Sequence, residues 1–357
     1  MGGAPLAGVR LIEMDGMGPI PLAGRILADM GAEVVRIARR DSQDRPGSAA
    51  LLANREVVHL DLKSATGKAA AEVLIAGADG LIEGFRPGAM ERLGLGPEPC
   101  QAANPALVYV RVTGWGQTGP LAPAAGHDLN YLALSGVLHA IGPADRPPPP
   151  PLNLIGDYGA GSAFAVIAML GGLLNARASG LGQVVDVAMV DGIAALSSTM
   201  HALLNAGLWS DAREANLFDG SVPYYRCYTC ADGGFVSVAA LEPQFFALLL
   251  NGLGIAAGTY VQRDRSNWPA MTADFAARFA SRPRDEWAAI FAGSDACVAP
   301  VLTFGEAKRH PHNQARGIFT AELPAPAPRF AADGRTVGRT GEIDSAAVLA
   351  RWARPRK

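Results

Sequence analysis

The sequence predicts an α/β protein, with a large domain on a parallel sheet and then a smaller α+β domain. Three observations predict it. Short apolar runs alternate with helix-length segments through the first 190 residues, the rhythm of strand–helix–strand units. Near residue 223 the pattern changes, and two alternating runs flank Ala231-Asp-Gly-Gly234, a β-hairpin signature. The chain has 357 residues, enough for two cores, and its 49% hydrophobic against 18% charged residues describes a folded protein.

Residues 8–13 read as the first strand and Gly16-Met-Gly-Pro-Ile-Pro21 as a turn. A helix follows over 22–30, Gly31 stops it, and 33–37 is the second strand. This unit is Rossmann-like, but its turn offers only Gly16 and Gly18 of a dinucleotide fingerprint, with Pro21 in the third position. The second strand ends among Arg36, Arg39 and Arg40, where an NAD enzyme would place an acid. Arginines there suit a phosphorylated ribose, as in NADP or coenzyme A, or a solvated strand end. Strands at 57–62, 80–83 and 107–112, with helices at 66–77 and from 90, put Lys63, Arg86 and Arg92 near C-terminal strand ends. Open α/β sheets bind ligands at that edge, and with Arg39 these cations would answer a polyanion.

The stretch 126–157 holds two different proton carriers. His127 stands just before a helix predicted over 129–140, and Asp157 just before one over 158–176. Two unlike acid–base groups at helix starts suit chemistry in which one takes a proton and the other returns one. Each alone also reads as a helix cap or a packed residue. Beyond them come a strand at 183–188 and a helix at 193–204 capped by Asp191; Asp186 and Asp191 read as structural. Residues 205–222 lack a period. The hairpin strands 224–230 and 235–239 open the second domain, with helices at 244–250, 271–280 and 285–292 and an extended piece at 297–300. A Pro/Ala/Gly-rich tail from 313 ends in a helix over 345–353.

Composition narrows the function. A net charge of −2, from 31 basic and 33 acidic residues, argues against a nucleic-acid binder that works by overall charge. Four cysteines are not a secreted disulfide framework, and Cys227-x-x-Cys230 has no second pair to complete a metal site. The run 158–176 approaches membrane-spanning length but carries four glycines between Asp157 and Arg177, which favours a buried core helix. The N-terminus shows no secretory pattern. A soluble cytoplasmic protein is expected, with no membrane and no nucleic acid as partner.

The motifs Leu60-Asp61-Leu62-Lys63, Gly84-Phe85-Arg86-Pro-Gly88, Glu91-Arg92-Leu-Gly-Leu-Gly96 and Thr113-Gly-Trp-Gly-Gln-Thr-Gly-Pro120 resemble the class III CoA-transferase superfamily. Gly180-Leu-Gly-Gln-Val-Val-Asp186 and Met189-Val-Asp-Gly192 extend the resemblance along the chain. Gly126-His127-Asp128 with Asn153-Leu-Ile-Gly-Asp157, and Leu241-Glu242-Pro-Gln-Phe245, are similar to its α-methylacyl-CoA racemase branch.

That resemblance implies inversion at C2 of a 2-methylacyl-CoA thioester through an enolate, with His127 and Asp157 flanking the α-carbon. Glu242 would hold the His, reaching it from the partner subunit, and Asn153 would support the Asp. Coenzyme A, a part of the substrate and not a separate cofactor, would meet Arg39, Leu60, Asp61, Leu62, Lys63, Gly84, Phe85, Arg86 and Arg92. Residues Gly126, Asp128, Leu129, Asn130 and Tyr131 would close over the thioester. Which of Arg39 and Arg40 meets the nucleotide phosphate stays open. The implied fold is a Rossmann-like large domain over 1–190 completed by 330–357, a linker at 191–222, a small α+β domain over 223–312 and a return linker at 313–330. An interlocked homodimer with the site at its interface is implied, and no metal.

Chemistry alone supports the same residues. A thioester α-proton is weakly acidic, so the enolate oxygen needs donors, and amides at the start of the 158–176 helix, that of Asp157 included, could supply them. The helix dipole would hold Asp157 ionised, so burial must counter it. The nearest alternative keeps the fold and makes Asp157 a nucleophile that carries CoA, as in class III CoA-transferases. NADP-linked hydride transfer would leave the His–Asp pair without a task.

Overall fold

The structure, a computed structural model, describes residues 4–39, 51–320, 323–330 and 341–353. The chain forms two compact units. The first joins residues up to Val137, Pro151–Ser197 and those from Thr320 onward; the second joins Leu138–Pro150 to Ser198–Phe319. The stretch expected as a linker, 191–222, is thus divided between the units.

In the first unit β1 (Arg10–Met14), α1 (Pro19–Asp29), β2 (Glu33–Ala38), β3 (Glu56–His59), α2 (Ala65–Ala76) and β4 (Gly80–Glu83) follow the predicted order. Next come α3 (Ala89–Leu93), α4 (Pro97–Ala103), β5 (Val108–Thr113) and α5 (Asp128–Leu134). A π-helical segment, Leu154–Ala163, runs without a break into α6 (Phe164–Ser179), and β6 (Val184–Ala188) leads into α7 (Met189–Leu196). The sheet has seven parallel strands in the order Gly341–Glu342, β3, β2, β1, β4, β5, β6. Chain order runs outward in both directions from β1, so a crevice opens at the C-terminal ends of β1 and β4, where such sheets take ligands.

Both faces of the sheet are covered, which is why its strands are apolar runs and not alternating ones. On one face Ile20, Ala23 and Leu27 of α1 pack with Met169 and Leu173 of α6; on the other are Leu74 and Ile75 of α2 and Val348 and Trp352 of the C-terminal helix Ser345–Trp352. α6 lies close to the sheet because Gly172 faces Val108, whose side chain would stand 2.4 Å from an added Cβ. The expectation of a buried core helix holds for one face only. Ile167 and Leu174 on its other face are 62% and 69% exposed.

A cluster of buried charge sits beneath α1. Glu13 in β1 accepts from Arg55 Nη1 at 2.5 Å and from Arg36 Nη1 at 3.1 Å, with the Glu13 and Arg55 side chains fully shielded from solvent. Arg36 also pairs with Asp15. The cluster fits under the helix because residue 24 is glycine: a Cβ there would lie 1.9 Å from Glu13 Oε2.

After Leu138–Pro150, the second unit resumes with α8 (Ser198–Asn205), and Ser197 separates it from α7 where one helix was predicted over 193–204. Asp191 lies inside the first turn of α7, whose N-cap is Ala188, so Asp191 is not the cap. Strands β7 (Tyr225–Thr229) and β8 (Phe235–Ala239) form the predicted antiparallel hairpin, and β9 (Val298–Pro300) adds beside β8. Helices α9 (Pro243–Gly252), α10 (Trp268–Phe279) and α11 (Arg284–Phe291) close an aromatic core of Tyr228, Phe246, Phe275, Phe279, Trp287 and Phe291. Cys227 is exposed, Cys230 buried, and both are free thiols.

Candidate active site

The crevice edge of the sheet carries most of the expected cations. Arg39, Lys63, Arg86 and Arg92 are all exposed, while Arg40 lies outside the described residues. Arg36 is different: its guanidinium is buried against Glu13 and Asp15, so it belongs to the cluster under α1 and not to the ligand edge. Of the motif residues, Leu60, Leu62 and Phe85 pack partly into the core, which leaves their backbones and the exposed Asp61 and Gly84 at the rim.

Two devices stiffen this rim. The Asp61 carboxylate accepts the Lys63 amide at 3.0 Å, and the Asp61 carbonyl accepts the Ser64 hydroxyl at 2.8 Å. Ser64 Oγ in turn caps α2 by accepting from Gly67 N–H. On the other side of β1, Glu83 accepts the Phe85 amide at 2.7 Å and Arg111 Nε at 3.0 Å, and Arg111 reaches on to Glu91. Burial pushes the Glu83 carboxyl up, against the pull of these donors.

His127 is the N-cap of α5, exposed, with its amide donating to Asn130 Oδ1 at 3.0 Å. The loop before it is set by Tyr131, whose hydroxyl donates to the Gly126 carbonyl and whose ring meets Trp115 edge-on at 4.7 Å. A Cβ at Gly126 would stand 2.7 Å from the Tyr131 ring, which explains the glycine. Tyr131 is therefore a buried brace; burial, with Asp157 and Asp128 nearby, pushes its hydroxyl up to about 12. Leu129 and Asn130 are exposed on the first turn of α5, where the sequence expects a contact with the thioester.

Asp157 differs from its expected setting. It lies within the first turn of the π-helical segment, not ahead of an α-helix. Three close contacts hold that segment. Gly161 meets Pro19, Ala160 meets Gly192 of α7, and Ser162 Oγ donates to the Pro19 carbonyl at 2.8 Å. The Asp157 carboxylate accepts from Asn153 Nδ2 at 3.2 Å and faces Gly18, the N-cap of α1, where an added Cβ would be 3.5 Å from Oδ2. Burial raises the Asp157 carboxyl above its ordinary value; the Asn153 bond opposes this, Asp128 adds to it and His127 opposes it. Burial thus opposes the helix dipole at Asp157, and His127 is near enough to act on its carboxyl.

The Asp157 amide is not available to an enolate. It donates to Asp128 Oδ2 at 2.8 Å, which corrects its expected place among the enolate donors. Asp128, expected at the coenzyme, is buried and turned towards Asp157. In the second unit Glu242 is the exposed N-cap of α9, and its charge helps raise the Cys297 thiol after burial, the larger cause. Among the described residues no cluster of three or more His, Cys, Asp or Glu is placed to hold a metal ion.

The parallel sheet wound outward from β1 thus carries a cationic edge, and the raised Asp157 carboxyl faces the start of α1. The chain belongs to CoA-transferase family III, which matches residues 6–342. Within it, the chain is 46% identical over 327 residues to alpha-methylacyl-CoA racemase of Mus musculus, spanning 90% of this chain and 85% of the mouse protein. To alpha-methylacyl-CoA racemase of Homo sapiens it is 43% identical over 333 residues, 90% of this chain and 86% of the human one. Among solved structures, a CAIB/BAIF family protein from Brucella suis superposes with a TM-score of 0.81 at 25% identity, covering 98% of this chain and 99% of its own.

Proposed function

We propose that the protein inverts C2 of 2-methylacyl-CoA thioesters by two-base proton transfer. The observation that supports this reading is that His127, exposed at a helix start, is near enough to act on Asp157, whose carboxyl is raised by burial. In one direction neutral His127 takes the C2 proton and becomes imidazolium. The electron pair moves into the thioester carbonyl as an enolate, and the Asp157 carboxyl delivers its proton to the opposite face. The reverse reaction exchanges the roles. Each well-placed acid or base typically contributes about 10²–10⁴-fold. The first-turn amides of α5, those of Asp128 and Leu129, have no intrahelical acceptor and follow directly on His127, so we assign the enolate oxygen to them.

The rim cations Arg39, Lys63, Arg86 and Arg92 would take the phosphates of coenzyme A, and Asn153 would orient Asp157. We further infer a homodimer in which Glu242 of one subunit steadies His127 of the other. The uncovered apolar face of α6 supports a second copy, since exposed patches of this kind mark interaction surfaces. Similarity to two racemases over nine-tenths of the chain supports the reaction class.

The test is to incubate one pure epimer of a 2-methylacyl-CoA with the protein in D₂O, without an acceptor acid. Deuterium at C2 together with the other epimer is expected, and both should vanish in His127→Ala and in Asp157→Ala. No exchange, but CoA transfer once a carboxylate is added, would make Asp157 a nucleophile and overturn the proposal.

A further inference from the structure

We propose that Asp128 is a positioning residue that acts on Asp157 through the Asp157 amide and through the charge it places beside that carboxylate. The inference rests on the reading of Asp157 as a proton carrier. Asp128 is the first residue of α5, yet the residue is only 6% exposed and its carboxylate turns into the π-helical segment. Its Oδ2 accepts the Asp157 N–H at 2.8 Å. Gly156 permits this approach, since a Cβ at that position would stand 2.6 Å from the same oxygen.

The cost of the arrangement shows that it is more than a helix cap. A buried carboxylate ordinarily recruits a cation, because an unpaired charge out of water is expensive. Among the described residues none pairs with Asp128, although arginines are paired elsewhere in this unit. A neutral acceptor would satisfy the amide equally well, and the helix dipole would favour an acid at this position even if it were exposed. Burial beside Asp157 adds one thing. A carboxylate beside Asp157 adds to the rise that burial gives its carboxyl, which favours the protonated form that must donate.

Among the described residues, the charged groups that shift the Asp157 carboxyl after burial are Asp128 and His127 at the start of α5, and Asp157 in turn raises the Tyr131 hydroxyl. Asp128 also follows His127 directly in the chain. A single peptide therefore links the cap that carries one proton carrier to the brace that holds the other, and fixes their spacing without a contact between their side chains.

The experiment compares the wild type with Asp128→Asn, which keeps an acceptor and removes the charge, and with Asp128→Ala, which removes both. The Asp157 carboxyl is titrated by ¹³C NMR of aspartate-labelled protein, assigned by its loss in Asp157→Asn, so the readout does not depend on turnover. Asp128→Asn should titrate Asp157 at lower pH, move the pH profile of C2 exchange to lower pH, and leave KM for the acyl-CoA within about threefold. Asp128→Ala should exchange on the order of 10²-fold more slowly at every pH, as expected for a displaced catalytic group. An unmoved Asp157 titration in Asp128→Asn overturns the inference, as does a raised KM with kcat unchanged, which would make Asp128 a coenzyme contact. Absence of exchange in the wild type would instead count against the racemase reading, and the titration would still decide the role of Asp128.

Discussion

Replacing Gly24 by alanine should destabilise the protein, although the same change inside a helix ordinarily helps. In α1 the gain from helix propensity is about 1 kcal/mol. Against it stands Glu13 Oε2, 1.9 Å from the new Cβ, with Arg55 Nη1 at 2.8 Å. To restore a contact of 3.4 Å the carboxylate must retreat by about 1.5 Å, and it has no solvent to retreat into because the pair is fully buried. Separating a buried ion pair costs roughly 3–5 kcal/mol, since each charge is left without its partner. The net loss is about 2–4 kcal/mol, a fall of order 10 °C in thermal midpoint for a unit of this size. Differential scanning calorimetry with a fluorescence melt as second probe measures it. A midpoint equal to or above the parent's would refute the claim that Gly24 exists to admit the ion cluster.

Three further outcomes are expected. Burial raises the Asp157 carboxyl, so the folded chain holds that proton more tightly than the unfolded one, and stability falls as pH rises from the ordinary carboxylate range through the raised value. Asp157→Asn should therefore be inactive yet melt higher than the parent at pH 8, with the difference closing below the ordinary carboxylate range; an equal or lower midpoint at pH 8 contradicts this. Glu83→Ala frees the Phe85 amide that fixes the Gly84–Arg86 rim, and with a charge-assisted bond worth about 1.5–3 kcal/mol, coenzyme A measured by calorimetry should bind about tenfold or more weakly. Glu83→Gln, which keeps an acceptor, should bind within about threefold of the parent. Gly156→Ala should push the Asp128 oxygen away from the Asp157 amide and slow C2 exchange on the order of 10²-fold with the fold intact by circular dichroism.

The strand–helix rhythm made the parallel sheet legible, because buried strands and amphipathic helices have different periods. The hairpin was legible from its glycines, and His127 as the residue before a helix start. What escaped was cross-chain. Arg36 reads like its neighbours Arg39 and Arg40 along the sequence, and only the packing of β1 beside β2 shows that Glu13 and Asp15 consume it. The π-helical register around Asp157 is invisible to periodicity, since it is held by Pro19, Gly192 and Asp128 from three other elements. Gly161 reads only as one glycine of a core-helix run and Gly156 only as part of a motif; their role in the structure is close approach. The strand Gly341–Glu342, two residues long, carries no pattern to find.

That short strand sets a timetable for synthesis. It closes the edge beside β3, and the helix after it seats Trp352 at Gly77, with Arg10 Nη1 donating to the Trp352 carbonyl at 2.7 Å and Arg351 bridging Glu33 and Glu56. Strand β1 and this helix, more than 300 residues apart, thus clasp the same unit. On a ribosome adding roughly 5–20 residues per second, the interval between β6 and Trp352 amounts to about ten to thirty seconds. Throughout it the β3 edge and the α2 face stand uncovered, open to mispairing and to chaperones. The C-terminal strand and helix thus complete a sheet whose other strands precede them by more than 150 residues.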